Sequence, residues 1–121
     1  MSPVIVQIDF PFHGPWGDQL AQEYGRAAAQ IAEAPGLIWK IWTENSTQNV
    51  AGGIYLFIDR DHARRFLDDH RRELIDNGLT GIRALILDTN TTLTALNGGP
   101  LDAGTLTDPP VEQSAPTAPQ Q

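Results

Sequence analysis

The chain contains no cysteine, which excludes disulfides and thiolate metal sites but leaves the redox compartment open. Basic residues are scarce too: eight Lys and Arg stand against fifteen Asp and Glu, a formal net charge of −7. That balance opposes contact with a phosphate backbone or with anionic lipid, so neither nucleic acid nor a membrane is an expected partner. The start, Met1-Ser2-Pro3, has no basic n-region and no long hydrophobic run follows it, which predicts a cytoplasmic protein. Metal-ligand spacing is missing: His62 and His70 are eight positions apart rather than four, and there is no H-E-x-x-H motif or carboxylate–histidine cluster. No phosphate loop is expected either, because Gly52-Gly53 leads into a strand pattern and not a helix start.

What is present fits one packed domain. The length of 121 residues suits a single core, and three Trp with four Phe argue against disorder. Val4, Val6, Ile8, Phe10 and Phe12 alternate with Ile5, Gln7, Asp9 and Pro11, the period of a strand. Leu20, Tyr24, Ala27, Ala28 and Ile31 then recur at helical spacing until Pro35-Gly36. Leu37 to Glu44 is bounded by that Pro-Gly and by a polar cluster from Asn45 to Asn49, and its short span favours a strand. Gly52 to Ile58 is short, β-branched and aromatic, so these two segments read as a hairpin. Asp59 or Asp61 caps a second helix whose Ala63, Phe66, Leu67, His70 and Leu74 make one stripe, and Asn77-Gly78 ends it. Ile82 to Leu87 is a fourth strand, followed by a turn of helix over Thr91 to Asn97. From Gly98 to Gln121 the composition turns to Gly, Pro, Thr, Ala and Gln, which predicts a flexible or loosely docked tail beyond a domain of residues 1–97.

The order strand, helix, strand, strand, helix, strand is that of an α+β, ferredoxin-like βαββαβ fold: a four-stranded antiparallel sheet with two helices on one face. Trp39 and Trp42 are an odd distance apart and so project from opposite faces. Trp39, grouped with Leu37 and Ile41, is expected to meet the helices, and Trp42, grouped with Ile38, Lys40 and Glu44, to face away. Ile5, Leu85 and Leu87 also read as apolar on the side away from the helices. A sheet greasy on its uncovered side predicts a homodimer that stacks two sheets face to face.

Three blocks carry a resemblance beyond this pattern: Gln7-Ile8-Asp9-Phe10-Pro11-Phe12 with Gly14-Pro15-Trp16-Gly17, then Pro35 to Glu44 (PGLIWKIWTE), then Ala51 to Phe57 (AGGIYLF). They resemble the YdhR family of putative monooxygenases, from about Val4 to Asn97. The resemblance implies a dimeric α+β barrel related to small oxygenases that use no metal, flavin or haem, so no cofactor is expected. It also implies a small aromatic or polyketide-like substrate. The chain departs from the family in its Pro-rich tail and in Asp9, where a histidine is expected.

Ground-state oxygen is a triplet, so a protein without cofactor must make its substrate the reductant, normally as a stabilised carbanion. That needs a base and a dry aromatic pocket. Trp39, Trp42 and Phe57 are candidate walls, with Tyr55 as hydrogen-bond donor to an enolate oxygen and His70 as general base. Which face Tyr55 occupies depends on the hairpin register. Glu44 and Arg83 are candidate polar contacts on the side facing the partner, and His13, in the Gly-Pro loop, a candidate gate. The same residues also fit an isomerase or cyclase, or a non-catalytic dimeric module that binds hydrophobic metabolites.

Overall fold

The computed structural model describes residues 2–102. In chain order the elements are β1 (Val4–Pro11), α1 (Gly17–Ala32), β2 (Leu37–Asn45), β3 (Val50–Phe57), α2 (Arg60–Asp76), β4 (Arg83–Asp88) and α3 (Thr91–Leu96). The four strands form one antiparallel sheet in the order β2-β3-β1-β4. This is the ferredoxin-like α+β arrangement. Among the described residues, 90–102 belong to a separate compact unit, in which the Asn90 side chain caps α3 by accepting the Leu93 N–H. Most of the expected tail, from residue 103, lies outside the described residues. No helix among the described residues is long and apolar enough to cross a membrane.

Both helices cover one face of the sheet. Val4, Val6 and Ile8 of β1 and Tyr55 and Phe57 of β3 are buried in the core, packed against Ile31 of α1 and Phe66, Leu67 and Leu74 of α2. Asp59 starts α2 by accepting the His62 N–H at 2.9 Å, which satisfies a donor that the first turn cannot pair internally. On the outer face Ile5, Gln7 and Asp9 stand opposite Leu87, Leu85 and Arg83. Leu85 and Leu87 are left exposed there.

The register of β2 overturns one expectation. Leu37 pairs with Phe57, whereas Trp39 pairs with Leu56, so Ile38 is an extra residue in the strand. Such a bulge changes the parity of everything that follows it. Lys40, Trp42 and Glu44 therefore share the inner face with Leu37, opposite Tyr55, Gly53 and Ala51. Trp39 and Ile41 point outward. The two indoles do lie on opposite faces, but with their expected places exchanged.

Candidate active site

Between the inner face of the sheet and the two helices lies a cavity of ≈ 770 Å³. Its walls include Phe10, Phe12, Tyr24, Trp42, Tyr55 and Phe66. A volume and lining of this kind suit a small aromatic molecule. The aromatic wall is built from edge contacts, with Tyr24 of α1 meeting Trp42 of β2 at 6.3 Å between ring centroids and 68° between planes.

Polar groups converge on this apolar space from β2, β3 and α2. The Tyr55 hydroxyl lies 3.3 Å from Nε2 of His70, and Nδ1 of His70 lies 3.5 Å from a Glu73 carboxylate oxygen. A proton on Nδ1 satisfies both contacts, with the Tyr55 O–H donating to Nε2 and Nδ1–H donating to Glu73. Phe66 stacks on the imidazole at 5.0 Å and fixes its plane. Burial pushes the Tyr55 phenol up from its ordinary range. Burial and then the nearby Lys40 charge push the His70 imidazole down, against the opposing pull of Glu73. At neutral pH the phenol is thus a donor and the imidazole an acceptor.

Lys40 also lines the cavity and is not among the site residues expected from the sequence. Its Nζ sits 3.4 Å from the Trp42 ring centroid and 4.6 Å from that of Tyr55. Room for it comes from Gly53: a Cβ there would fall 2.7 Å from Lys40 Cε. Removal from water lowers the amine from its ordinary 10.5 to about 7, because burial disfavours the charged form. One signal was available, since Lys40 is the only lysine in the chain. The expected parity of β2 had placed it on the outer face.

Of the residues expected at a site, Tyr55, His70 and Trp42 line the cavity and the others do not. Trp39 is half-buried on the outer face, carried there by the bulge. Phe57 is fully buried in the core, paired with Val4 and packed on Phe66, and does not line the cavity. Glu44 is on the inner side of the sheet rather than the partner side, and its Oε1 accepts the Gly17 N–H at 2.9 Å. It caps α1 in place of Trp16, which offers no side-chain cap. Arg83 is on the outer face as expected, where its Nε donates to Asp9 at 2.7 Å, so the Asp9 departure also lies away from the cavity. His13 is exposed in the loop between β1 and α1. Among the described residues no group of three or more His, Cys, Asp or Glu is placed to hold a metal ion.

Residues 5–100 match a family model described as putative mono-oxygenase ydhR. Among solved structures, a mutant of SnoaB, a cofactor-independent oxygenase from Streptomyces nogalater, superposes with a TM-score of 0.54 at 22% identity. The match covers 74% of this chain and 95% of that one, and at this identity it is a likeness of fold. No curated protein sequence matches the chain.

Proposed function

The chain belongs to the ydhR family of putative mono-oxygenases, and from that premise we propose that it is a cofactor-independent monooxygenase. Its substrate is a small aromatic or polyketide-like molecule held between sheet and helices. The observation that carries this reading is the meeting of a phenol donor and a neutral imidazole in an aromatic cavity, with Tyr55 Oη and His70 Nε2 3.3 Å apart.

The chemistry follows from those two groups. A substrate oxygen takes the Tyr55 O–H, which frees Nε2 of His70 to accept a proton from the adjacent activated carbon. Tyr55 stabilises the enolate charge as it develops, in a site where little water competes. The carbanion passes one electron to O₂, recombination forms a C–O bond, the resulting peroxide anion takes back the proton held by the His70 imidazolium, and the hydroperoxide loses water as its O–O bond and the remaining C–H bond break. Overall, R₂CH₂ + O₂ gives R₂C=O + H₂O: the carbon is oxidised, one oxygen atom enters the product and the other leaves as water. Glu73, through Nδ1, steadies the imidazolium formed in the first step.

Oxygen uptake with a panel of hydroxylated aromatics tests this directly. Uptake with a one-oxygen product is the expected result. Product without oxygen uptake would replace this reading with an isomerase or cyclase, and binding without any product would leave a hydrophobic-metabolite module.

The protein also acts, in our reading, as a homodimer joined through the outer face of its sheet. Ile41, Leu85 and Leu87 are each about half exposed there, and a C2 sheet-on-sheet contact is the simplest way to bury them. A stable monomer in sedimentation at micromolar concentration would contradict it.

A further inference from the structure

Lys40 has no part in the reaction as written above, yet the fold takes trouble to keep it in the cavity. Gly53 leaves the notch that its Cε occupies, and the Ile38 bulge turns it inward. Among the described residues no carboxylate lies within ion-pair distance of its Nζ. Its Nζ lies over the faces of Trp42 and Tyr55, close enough to His70 for its charge to act on the imidazole. The other seven basic residues of the chain are arginines, which do not give up a proton near neutrality, whereas a desolvated lysine does. The amine of about pKa 7 is thus the one Lys or Arg cation that a ligand's own proton can fill or empty, beside the His70 imidazole, which burial and the Lys40 charge hold toward its neutral form. The titratable neighbours that face the same cavity are Tyr55 from β3, Tyr24 from α1, and His70, Glu73 and Asp76 from α2.

We infer that Lys40 is an anion anchor and proton acceptor for the ligand, and that the cavity selects planar aromatics carrying an acidic hydroxyl, phenol or enol, which bind as the anion. This rests on the aromatic-substrate reading above and narrows it. The proton balance is closed: ArOH + H₂N–Lys40 becomes ArO⁻ + ⁺H₃N–Lys40, the O–H bond breaks, an N–H bond forms, and nothing is oxidised. The product is a neutral ion pair in an apolar space, where attraction between opposite charges is far stronger than in water. Trp42 lies beneath the new ammonium and supports it through its π face. An anionic ring is also the electron-rich form from which oxygen can draw an electron.

The test is spectroscopic and anaerobic, at about pH 8.5, where free 2-naphthol keeps its proton and the unliganded Lys40 amine has lost its own. Titrating the intact protein with 2-naphthol is expected to give the naphtholate absorption band, with close to no proton exchanged with the buffer. The methyl ether should bind at least about tenfold more weakly, the loss of one charge-assisted contact. Lys40→Met should bind naphthol without the band. Lys40→Arg should give the band with about one proton released, since its guanidinium is already full. His70→Gln should keep both the band and the zero proton count, and it decides the matter alone if Lys40→Met does not fold. Bound naphthol with a neutral spectrum, proton release from the wild type, loss of the band in His70→Gln, or no binding at all would overturn the inference. Because oxygen is excluded, the two readings fail separately. Oxygen uptake without a naphtholate band sinks only this inference, and a band without uptake on any substrate sinks only the oxygenase.

Discussion

Lys40 and Tyr55 face each other across the β2–β3 ladder, and both point into the cavity under the helices. The phenol's π face lies 4.6 Å from the amine, while its hydroxyl reaches the imidazole of His70 on α2. Two strands and a helix thus bring three titratable groups to one cavity. Burial shifts each toward its neutral form.

A buried amine leaves a mark on stability. In the unfolded chain Lys40 protonates below 10.5, but in the fold only below about 7, so between those values the unfolded state binds the extra proton. Stability from this residue therefore rises with pH across that window and is lowest below it. Lys40→Met, which removes the penalty, should stabilise by roughly 2–4 kcal/mol near pH 7 and by much less near pH 10. Denaturant titrations of both proteins at the two pH values check this; their difference cancels the contribution of Tyr55 and retains the part of the His70 shift that the Lys40 charge causes.

The adjacent glycines should respond to different degrees. A Cβ at Gly52 would lie 1.9 Å from the Ile8 carbonyl oxygen, a backbone atom that cannot step aside. Gly52→Ala should therefore separate β1 from β3 and cost more than about 3 kcal/mol, or prevent folding. At Gly53 the closest obstacle is the far end of Lys40, with Tyr55 Cε1 at 3.1 Å and the Ile41 carbonyl oxygen at 3.3 Å behind it, so Gly53→Ala should fold at a cost of about 1–3 kcal/mol while driving the amine out of the cavity. Thermal melts, together with the naphthol spectrum, separate the two.

Glu44 offers a contrast between structure and chemistry. Its carboxylate accepts the Gly17 N–H at the start of α1, a donor with no partner inside the helix. Glu44→Ala should lose about 0.5–2 kcal/mol of stability, as other capping deletions do, and leave kcat within about twofold. A large fall in kcat with stability unchanged would return Glu44 to the candidate polar contacts of the site.

Tyr55→Phe and His70→Gln should each lower kcat by at least about 10²-fold, the scale of losing an oxyanion donor or a general base. Tyr55→Phe also leaves Nε2 of His70 without its donor, at a cost of about 1–3 kcal/mol. Steady-state oxygen uptake and far-UV circular dichroism on the same preparations show whether the loss is chemical or structural.

The order of elements was legible because each has its own period: strict alternation in Val4–Phe10, and the Ala63, Phe66, Leu67, His70, Leu74 stripe of α2, which placed His70 correctly against the sheet. The faces of β2 were not legible. Leu37, Ile38, Trp39 and Ile41 are all apolar, so an extra residue at Ile38 leaves no trace in the hydrophobic pattern while reversing every side chain after it. That single slip exchanged Trp39 with Trp42, sent Glu44 to the wrong side and hid Lys40. Phe57 was misread for a different reason. An aromatic on an inner strand face serves equally as core or as pocket wall, and only its place along the strand decides which: Tyr55 lines the cavity and Phe57, two residues on, does not.

Apart from its α-amino group, the chain carries its one primary amine on Lys40, at the wall of an interior chamber. Amine-reactive dyes, acylating agents or resin linkers applied to this protein would thus not decorate its exterior at random, as they do on lysine-rich surfaces. Any label found within the polypeptide would be sited in the chamber and would serve as a reporter of what enters it.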